Sequence, residues 1–298
     1  MIFKNKDAAG SLLILLAGIL WGSMGLFVRR LSALGFGSIQ ITAGRLCFAA
    51  LLFWLLLLLR RPKEERAIHL RDLPLFLGLG LASILFFTVC YFAAIAIMPL
   101  STAAILLYTS PIWVTLLSAL LFHERLTAVK LIALGMAFGG CVLVSGFGGG
   151  LTLRGLLLGL GAGLGYGLYS ILGSIALRRY SPYTVTAWTF LVAGIGALCI
   201  CRPAEMLSLI GESASPAGTV LFFLLTAFVT AVIPFLSYTL GLRSVEAGKA
   251  AILATVEPMV ASLLGVLVFR EALSLSAVLG ILLILGAVVL LSLPGRKE

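Results

Sequence analysis

The sequence predicts an all-α integral membrane protein with ten transmembrane helices, arranged as two inverted five-helix repeats. Composition, apolar periodicity and an internal match between the halves carry that reading. Of 298 residues, 61% are hydrophobic and only 11% are charged, where a soluble domain carries about 25% charge. Mean hydropathy is +1.19. These values exclude a soluble globular enzyme, a disordered chain and a disulfide scaffold. A spanning helix takes about 20 apolar residues, so the chain has room for about ten.

Apolar stretches recur near 10–28, 37–59, 73–97, 100–122, 128–146, 155–177, 182–200, 218–242, 248–269 and 274–293. Only 60–72 and 201–217 remain as loops of any size. The net charge of +10 is tested against the positive-inside rule. With the N-terminus inside, the inner set is Lys4, Lys6, Arg60, Arg61, Lys63, Arg66, Arg71, Arg125, Lys130, Arg178, Arg179, Arg243, Lys249, Arg296 and Lys297. The outer set is Arg29, Arg30, Arg154, Arg202 and Arg270. The bias, about three to one, places both termini in the cytoplasm and predicts a multi-pass protein of the cytoplasmic (inner) membrane. The basic excess thus records orientation and implies no nucleic-acid partner. Lys4 and Lys6 before an apolar run also fit a cleaved signal peptide, but the first span has a partner later in the chain. Cys47, Cys90, Cys141, Cys199 and Cys201 have neither metal nor disulfide spacing, so no metal or other cofactor is implied.

The halves, 1–148 and 149–298, align at an offset of 147 residues. Ala103-Ala104-Ile105-Leu106 meets Ala250-Ala251-Ile252-Leu253, Pro111 meets Pro258, Glu124 meets Glu271, and Tyr91 meets Tyr238. At a slightly different offset, Gly18, Trp21 and Gly22 meet Gly163, Tyr166 and Gly167. Five spans per half is odd, so the second half enters the membrane from the opposite side. Secondary transporters often have this design, with the substrate site near the midplane where the repeats meet.

These residues resemble the EamA-type members of the drug/metabolite transporter superfamily. The fourth helix of that family's repeat carries a mid-span proline and ends in Glu-Arg-Leu, before a glycine-containing fifth helix. Here the copies read Pro111, Phe122-His123-Glu124-Arg125-Leu126, Gly135, Gly139 and Gly140, then Pro258, Phe269-Arg270-Glu271-Ala272-Leu273, Gly280 and Gly286; Trp21-Gly22 marks the first helix. Ala272 departs from the pattern where the first copy has Arg125. The resemblance spans the chain and implies a carrier of small metabolites, amino acids or amines among them, with export the implied direction.

A charge within the hydrocarbon is costly and marks a cavity or a partner. Arg45 and Glu257 are the two deep charges. Each lies about 12–14 Å from opposite faces of a core about 30 Å thick, so a direct or substrate-bridged pair is geometrically allowed. The functional reading gives Arg45 a carboxylate and Glu257 an amine or a proton; the packing reading makes them a structural ion pair. Glu257 directly precedes Pro258, whose missing N–H opens the helix. Pro111 and Pro258 are thus candidate gating breaks, and Pro234 is expected to kink the eighth span alone.

Trp21, Tyr91, Tyr108, Tyr166 and Tyr238, with Trp113 and Tyr169, lie within spans, several too deep for an interfacial belt. The first five are candidate cavity-lining residues, with Gln40 a donor near the mouth. Gly155, Gly159, Gly163 and Gly167 share one helix face, which allows close helix approach, as static packing or as a moving seam. His69 and His123 lie at loops, and Glu124 and Glu271 at helix ends as structural anchors. Gly148-Gly149-Gly150 lacks the ending of a P-loop.

The sequence therefore predicts a secondary transporter working by alternating access, with a small-molecule substrate, the lipid bilayer and protons as partners. The alternatives are a carrier for another solute class or an uncoupled facilitator; an intramembrane enzyme lacks a nucleophile–base pair. Lipid-facing and subunit-facing surfaces carry the same apolar residues, so no oligomeric state is assigned.

Overall fold

The computed structural model describes residues 6–60, 65–146, 152–270, 272 and 274–292. Lys4, Arg61, Lys63, Gly148, Gly149, Gly150, Glu271, Leu273, Arg296 and Lys297 lie outside them. Ten helical segments are long and apolar enough to cross a membrane: Asp7–Ala33, Ser38–Leu59, Leu70–Ile95, Leu100–Phe122, Ala128–Ser145, Leu153–Ala176, Pro182–Ile200, Pro216–Gly241, Ala247–Phe269 and Leu275–Ser292. They are numbered here as spans one to ten. The first runs further than its apolar stretch, because Arg29 and Arg30 remain helical and Arg29 stacks 3.9 Å from the centre of the Phe269 ring. The segment 201–217, expected as a loop, contains the helix Pro203–Glu212. Pro203 suits the first helical turn, and Glu205 favours the positive end of the dipole while pairing with Arg202 at 2.8 Å.

Small side chains pack inside together with large rings such as Phe53 and Phe190, which are also fully buried, while many leucines face outward. Ala17, Ala43 and Ala133 are fully buried, whereas Leu59, Leu120 and Leu282 are exposed. In lipid, apolar surface gains little by leaving the solvent, so helices associate through close packing of small residues. Gly140 and Gly280 show this between spans five and ten: a methyl group at Gly140 would sit 2.7 Å from the Gly280 carbonyl oxygen. Gly140→Leu is expected to destabilise the protein by at least about 1–3 kcal/mol through overpacking, read as a lower thermal midpoint of the purified protein in detergent.

Three spans are broken near their middles. The first divides at Ser23, between Lys6–Gly22 and Met24–Ala33. The fourth divides between Leu100–Leu107 and Ser110–Phe122, and the ninth between Ala247–Leu253 and Val256–Phe269. Pro111 and Pro258 have no N–H to give the carbonyls of Leu107 and Ala254, four residues upstream. The breaks in spans four and nine therefore coincide with these prolines, whereas the break at Ser23 in span one was not expected from the sequence. Span six, by contrast, is one continuous helix.

Pro234 does not act alone. A π-helical stretch occurs in the eighth span at Phe228–Val232, just before the proline, and also in the third at Gly78–Leu85. Because the third span has Phe87 at the matching place, a proline is not what this irregularity requires. Among the described residues, the two non-glycine residues with positive φ, His123 and Arg270, both at 56°, are also 147 residues apart. Each ends the second half of a broken span.

Candidate functional site

The breaks converge on one cavity of about 380 Å³. The first span supplies Trp21 and Met24 beside its break. The fourth supplies Tyr108, the residue that ends its first half, and the ninth supplies Glu257 in the first turn of its second half. Arg45 enters from the second span, Tyr91 from the third and Tyr166 from the sixth. A helix break exposes backbone polar groups, which membrane proteins tolerate only where the break is buried or lines a cavity.

Arg45 is 4% exposed. Its Nη1 donates to the Met24 sulfur at 3.3 Å, a weak acceptor, and its Nε has no partner. Glu257 accepts a hydrogen bond from the Tyr166 hydroxyl at 2.9 Å. The two charges lie within electrostatic reach of each other, yet among the described residues no ion pair within 4.0 Å joins them. Among the described residues they are also the only charged ones on the cavity wall. The wall therefore offers one cation with unused donors and one carboxylate already tethered, separated by a gap.

Aromatic rings close the cavity floor. Trp21 packs on Tyr166 at 6.1 Å and on Phe235 at 5.0 Å, and Phe87 packs on Tyr166 at 5.3 Å, centroid to centroid. From this floor the wall rises past Thr42 and Tyr91 to Val28, Ser38, Ile95 and Leu100, at the end of the bundle away from Asp7.

That opposite end is tied by charge. Lys130, 4% exposed, pairs with Glu124, and with Glu246 at 3.1 Å. The second Glu124 oxygen caps the Ala247 N–H at 3.0 Å, and Ser118 donates to the carboxylate at 3.0 Å. Spans four, five and nine are thereby joined. Lys249 pairs with Asp7 at 2.8 Å. Asp72 accepts from Arg179 at 2.8 Å and from the Tyr180 hydroxyl at 2.7 Å. Burial and this bond push the Tyr180 hydroxyl above its ordinary value, so it remains a donor at neutral pH.

Six of the eight residues expected at the site line this cavity: Trp21, Arg45, Tyr91, Tyr108, Tyr166 and Glu257. Gln40 does not. It lines a separate cleft beside Arg202 and Glu205, and its Oε1 accepts from the Gly37 N–H at 2.9 Å, which fastens the start of span two. Tyr238 is also apart, 3% exposed and bonded to Ser170 at 2.7 Å below the aromatic floor. Met24, Phe87, Thr42 and Phe235 are cavity residues that the sequence reading missed. Met24 had one available signal, its position just beyond Trp21-Gly22, but phenylalanine in an apolar run has none. The sixth-span glycines pack on the fourth span: a methyl at Gly163 would crowd Thr109 and the Leu106 carbonyl, and one at Gly167 would crowd Val114.

Ten apolar helices around a charged, aromatic cavity form a multi-pass membrane protein, and its family makes it a transporter. The chain belongs to the EamA-like transporter family, whose model matches residues 8–146 and again 153–293. An "Uncharacterized transporter" of Archaeoglobus fulgidus is 30% identical over 291 residues, 97% of this chain and 98% of the relative. The inner membrane transporter YicL of Salmonella typhimurium is 26% identical over 297 residues, 97% of each. The pseudopaline exporter CntI of Pseudomonas aeruginosa is 34% identical over 140 residues, 47% of each. A crystal structure with 21% identity superposes with a TM-score of 0.76, covering 94% of this chain and 96% of the other, which supports the fold.

Proposed function

We propose that this protein is a secondary carrier that moves a small zwitterionic metabolite, an amino acid or a related amphipathic solute, across the cytoplasmic (inner) membrane by alternating access. One observation carries the reading: Arg45 and Glu257 share a cavity wall without pairing with each other. A solute carboxylate fits the guanidinium, whose fork matches it bidentately. A solute ammonium fits Glu257, and Trp21, Tyr91 and Tyr108 offer rings to an apolar side chain. Both termini are cytoplasmic on the sided charge count, which makes this conformation outward-open. Export is the direction in the name of the Pseudomonas relative, and the two repeats, 1–148 and 149–298, exchange roles during transport.

Counterflow in proteoliposomes tests this with matched solutes. Zwitterionic amino acids are expected to drive saturable counterflow. Their N-acetyl and methyl-ester forms, each lacking one charge, are expected to be at least about tenfold poorer, about 1.4 kcal/mol. Equal transport of all three forms, or non-saturating flux, counts against the proposal.

Glu257 is the carboxylate of the cavity and hence the proton carrier in this scheme. Glu257→Gln is expected to retain counterflow at no more than a tenth of the parent rate and to lose any acceleration by an imposed pH gradient. A gradient response that survives the substitution removes Glu257 from proton coupling.

A further inference from the structure

Glu257 stands on the second half of the broken span nine, but the group that holds its side chain stands on span six, which is continuous. The Tyr166 hydroxyl donates to Oε2 of the carboxylate at 2.9 Å. Among the described residues no other donor reaches this carboxylate, so Oε1 is unused on the cavity wall. The main chain at Glu257 is packed from a third helix: a methyl group at Gly22 of span one would sit 2.6 Å from the Glu257 carbonyl oxygen.

Tyr166 is itself held in place. Gly163 and Gly167 bring span six against the broken span four, where a methyl group at Gly163 would meet the Leu106 and Leu107 carbonyl oxygens at 2.7 and 3.2 Å. The Tyr166 ring packs on Trp21 and Phe87. A phenol fixed in this way is a donor of settled direction. A glutamate by itself is not, because its long side chain keeps rotamer freedom that binding would have to remove. Untethered, the carboxylate would be drawn to Arg45, the cation on the same wall, whose Nε is unpartnered. The two charges would then neutralise each other, and a solute would have to separate them before it could bind.

We infer that Tyr166 is a positioning residue that keeps the two charges of the site apart: its hydroxyl holds Oε2 of Glu257, which stops the carboxylate from closing on Arg45 and reserves Oε1 for the solute ammonium. The inference rests on the carrier reading above and adds how its ammonium site is built. Tyr166 acts through Glu257 and adds affinity by preorganisation. A hydrogen bond to an ionised carboxylate is strong enough for this task, and a phenol donates without bringing a positive charge of its own. The repeat counterparts of Tyr166 and Glu257 are Trp21 and Ser110, so the tether is built once.

Counterflow in proteoliposomes tests this, with the standard amino acids as probes. Tyr166→Phe keeps the ring and removes the hydroxyl. Tyr169→Phe is the matched control on the same helix: its hydroxyl bonds Thr239 at 2.7 Å, away from the cavity. For amino acids that the parent accepts, Tyr166→Phe is expected to raise KM at least about tenfold while the maximal rate stays within about threefold. Tyr169→Phe is expected to keep the parent KM. In a Glu257→Gln background, Tyr166→Phe should move KM by less than about twofold, because the charge it positions is gone. Without solute, Tyr166→Phe should unfold at no lower temperature than Tyr169→Phe, since an Arg45–Glu257 pair replaces the lost bond. A parental KM in Tyr166→Phe, an equal rise in Tyr169→Phe, the same rise with Glu257→Gln present, or a markedly lower midpoint than Tyr169→Phe overturns the inference and leaves the carrier reading standing. If the parent shows no saturable counterflow with any amino acid, the carrier reading falls and this inference with it.

Discussion

Arg45→Met is expected to abolish most transport while leaving the protein as stable as the parent, or more so. In the solute-free protein the Arg45 guanidinium is buried with a thioether as its one acceptor and an unpartnered Nε. A buried cation without a close counter-charge costs several kcal/mol, and methionine fills similar volume without that cost. Truncating one side of a buried, hydrogen-bonded charge contact costs about 2–5 kcal/mol of binding, so solute affinity should fall at least about tenfold. The two readouts move in opposite directions, and that separates a binding role from a packing role. If Arg45 and Glu257 were instead a structural ion pair, removing the arginine would leave a buried carboxylate and lower stability by about 3–5 kcal/mol. Thermal unfolding in detergent with and without amino acid makes the distinction. The parent should gain stability with ligand, as mass action requires, and Arg45→Met should start higher and gain nothing. A large drop in the midpoint without ligand would return Arg45 to the packing reading.

How far such residues could be read from sequence depended on contrast with their surroundings. Arg45 and Glu257 were legible because a charge inside an apolar run has almost no other explanation. Trp21, Tyr91, Tyr108 and Tyr166 were legible as a set, because their polar edges fit poorly in mid-bilayer. Phe87 and Phe235, part of the aromatic floor, were not, since phenylalanine is equally at home against lipid. Gln40 misled because a polar residue near the mouth was read as facing the solute, whereas in the first turn of span two it completes a local hydrogen bond to Gly37. The span-four and span-nine breaks followed from Pro111 and Pro258, a local chemical cause. The matching π-helical stretch in span three carries no such mark and comes from packing. Lys130 was counted as one of the sided loop charges. Its burial comes in part from span nine, where Gly248 has no side chain to displace the Lys130 Cε and Nζ, a tertiary fact that no window of sequence contains.

That lysine gives the second large effect. Lys130→Met is expected to destabilise the protein by about 3–5 kcal/mol, because it strands the Glu124 carboxylate, whose side chain is 8% exposed. The exposed Glu246, at 61%, contributes little by itself. Adding Glu124→Gln should recover much of the loss, since the stranded charge is then gone; a double-mutant cycle in thermal or denaturant unfolding reads the coupling. Additive losses would mean that the pair is not the source. The cluster also has a sidedness. One repeat later, Ala277 stands for Lys130, and one repeat earlier, Pro99 stands for Glu246, so the open end cannot build a matching tie. A tie present at only one end stabilises the conformation in which that end is shut. Lys130→Met combined with Glu124→Gln should therefore shift the protein away from the present conformation, read as several-fold slower labelling of a single cysteine at the cavity wall (Gly25→Cys in a Cys199→Ala background) by a membrane-impermeant maleimide. Unchanged reactivity at that position would confine the cluster to holding spans four, five and nine together.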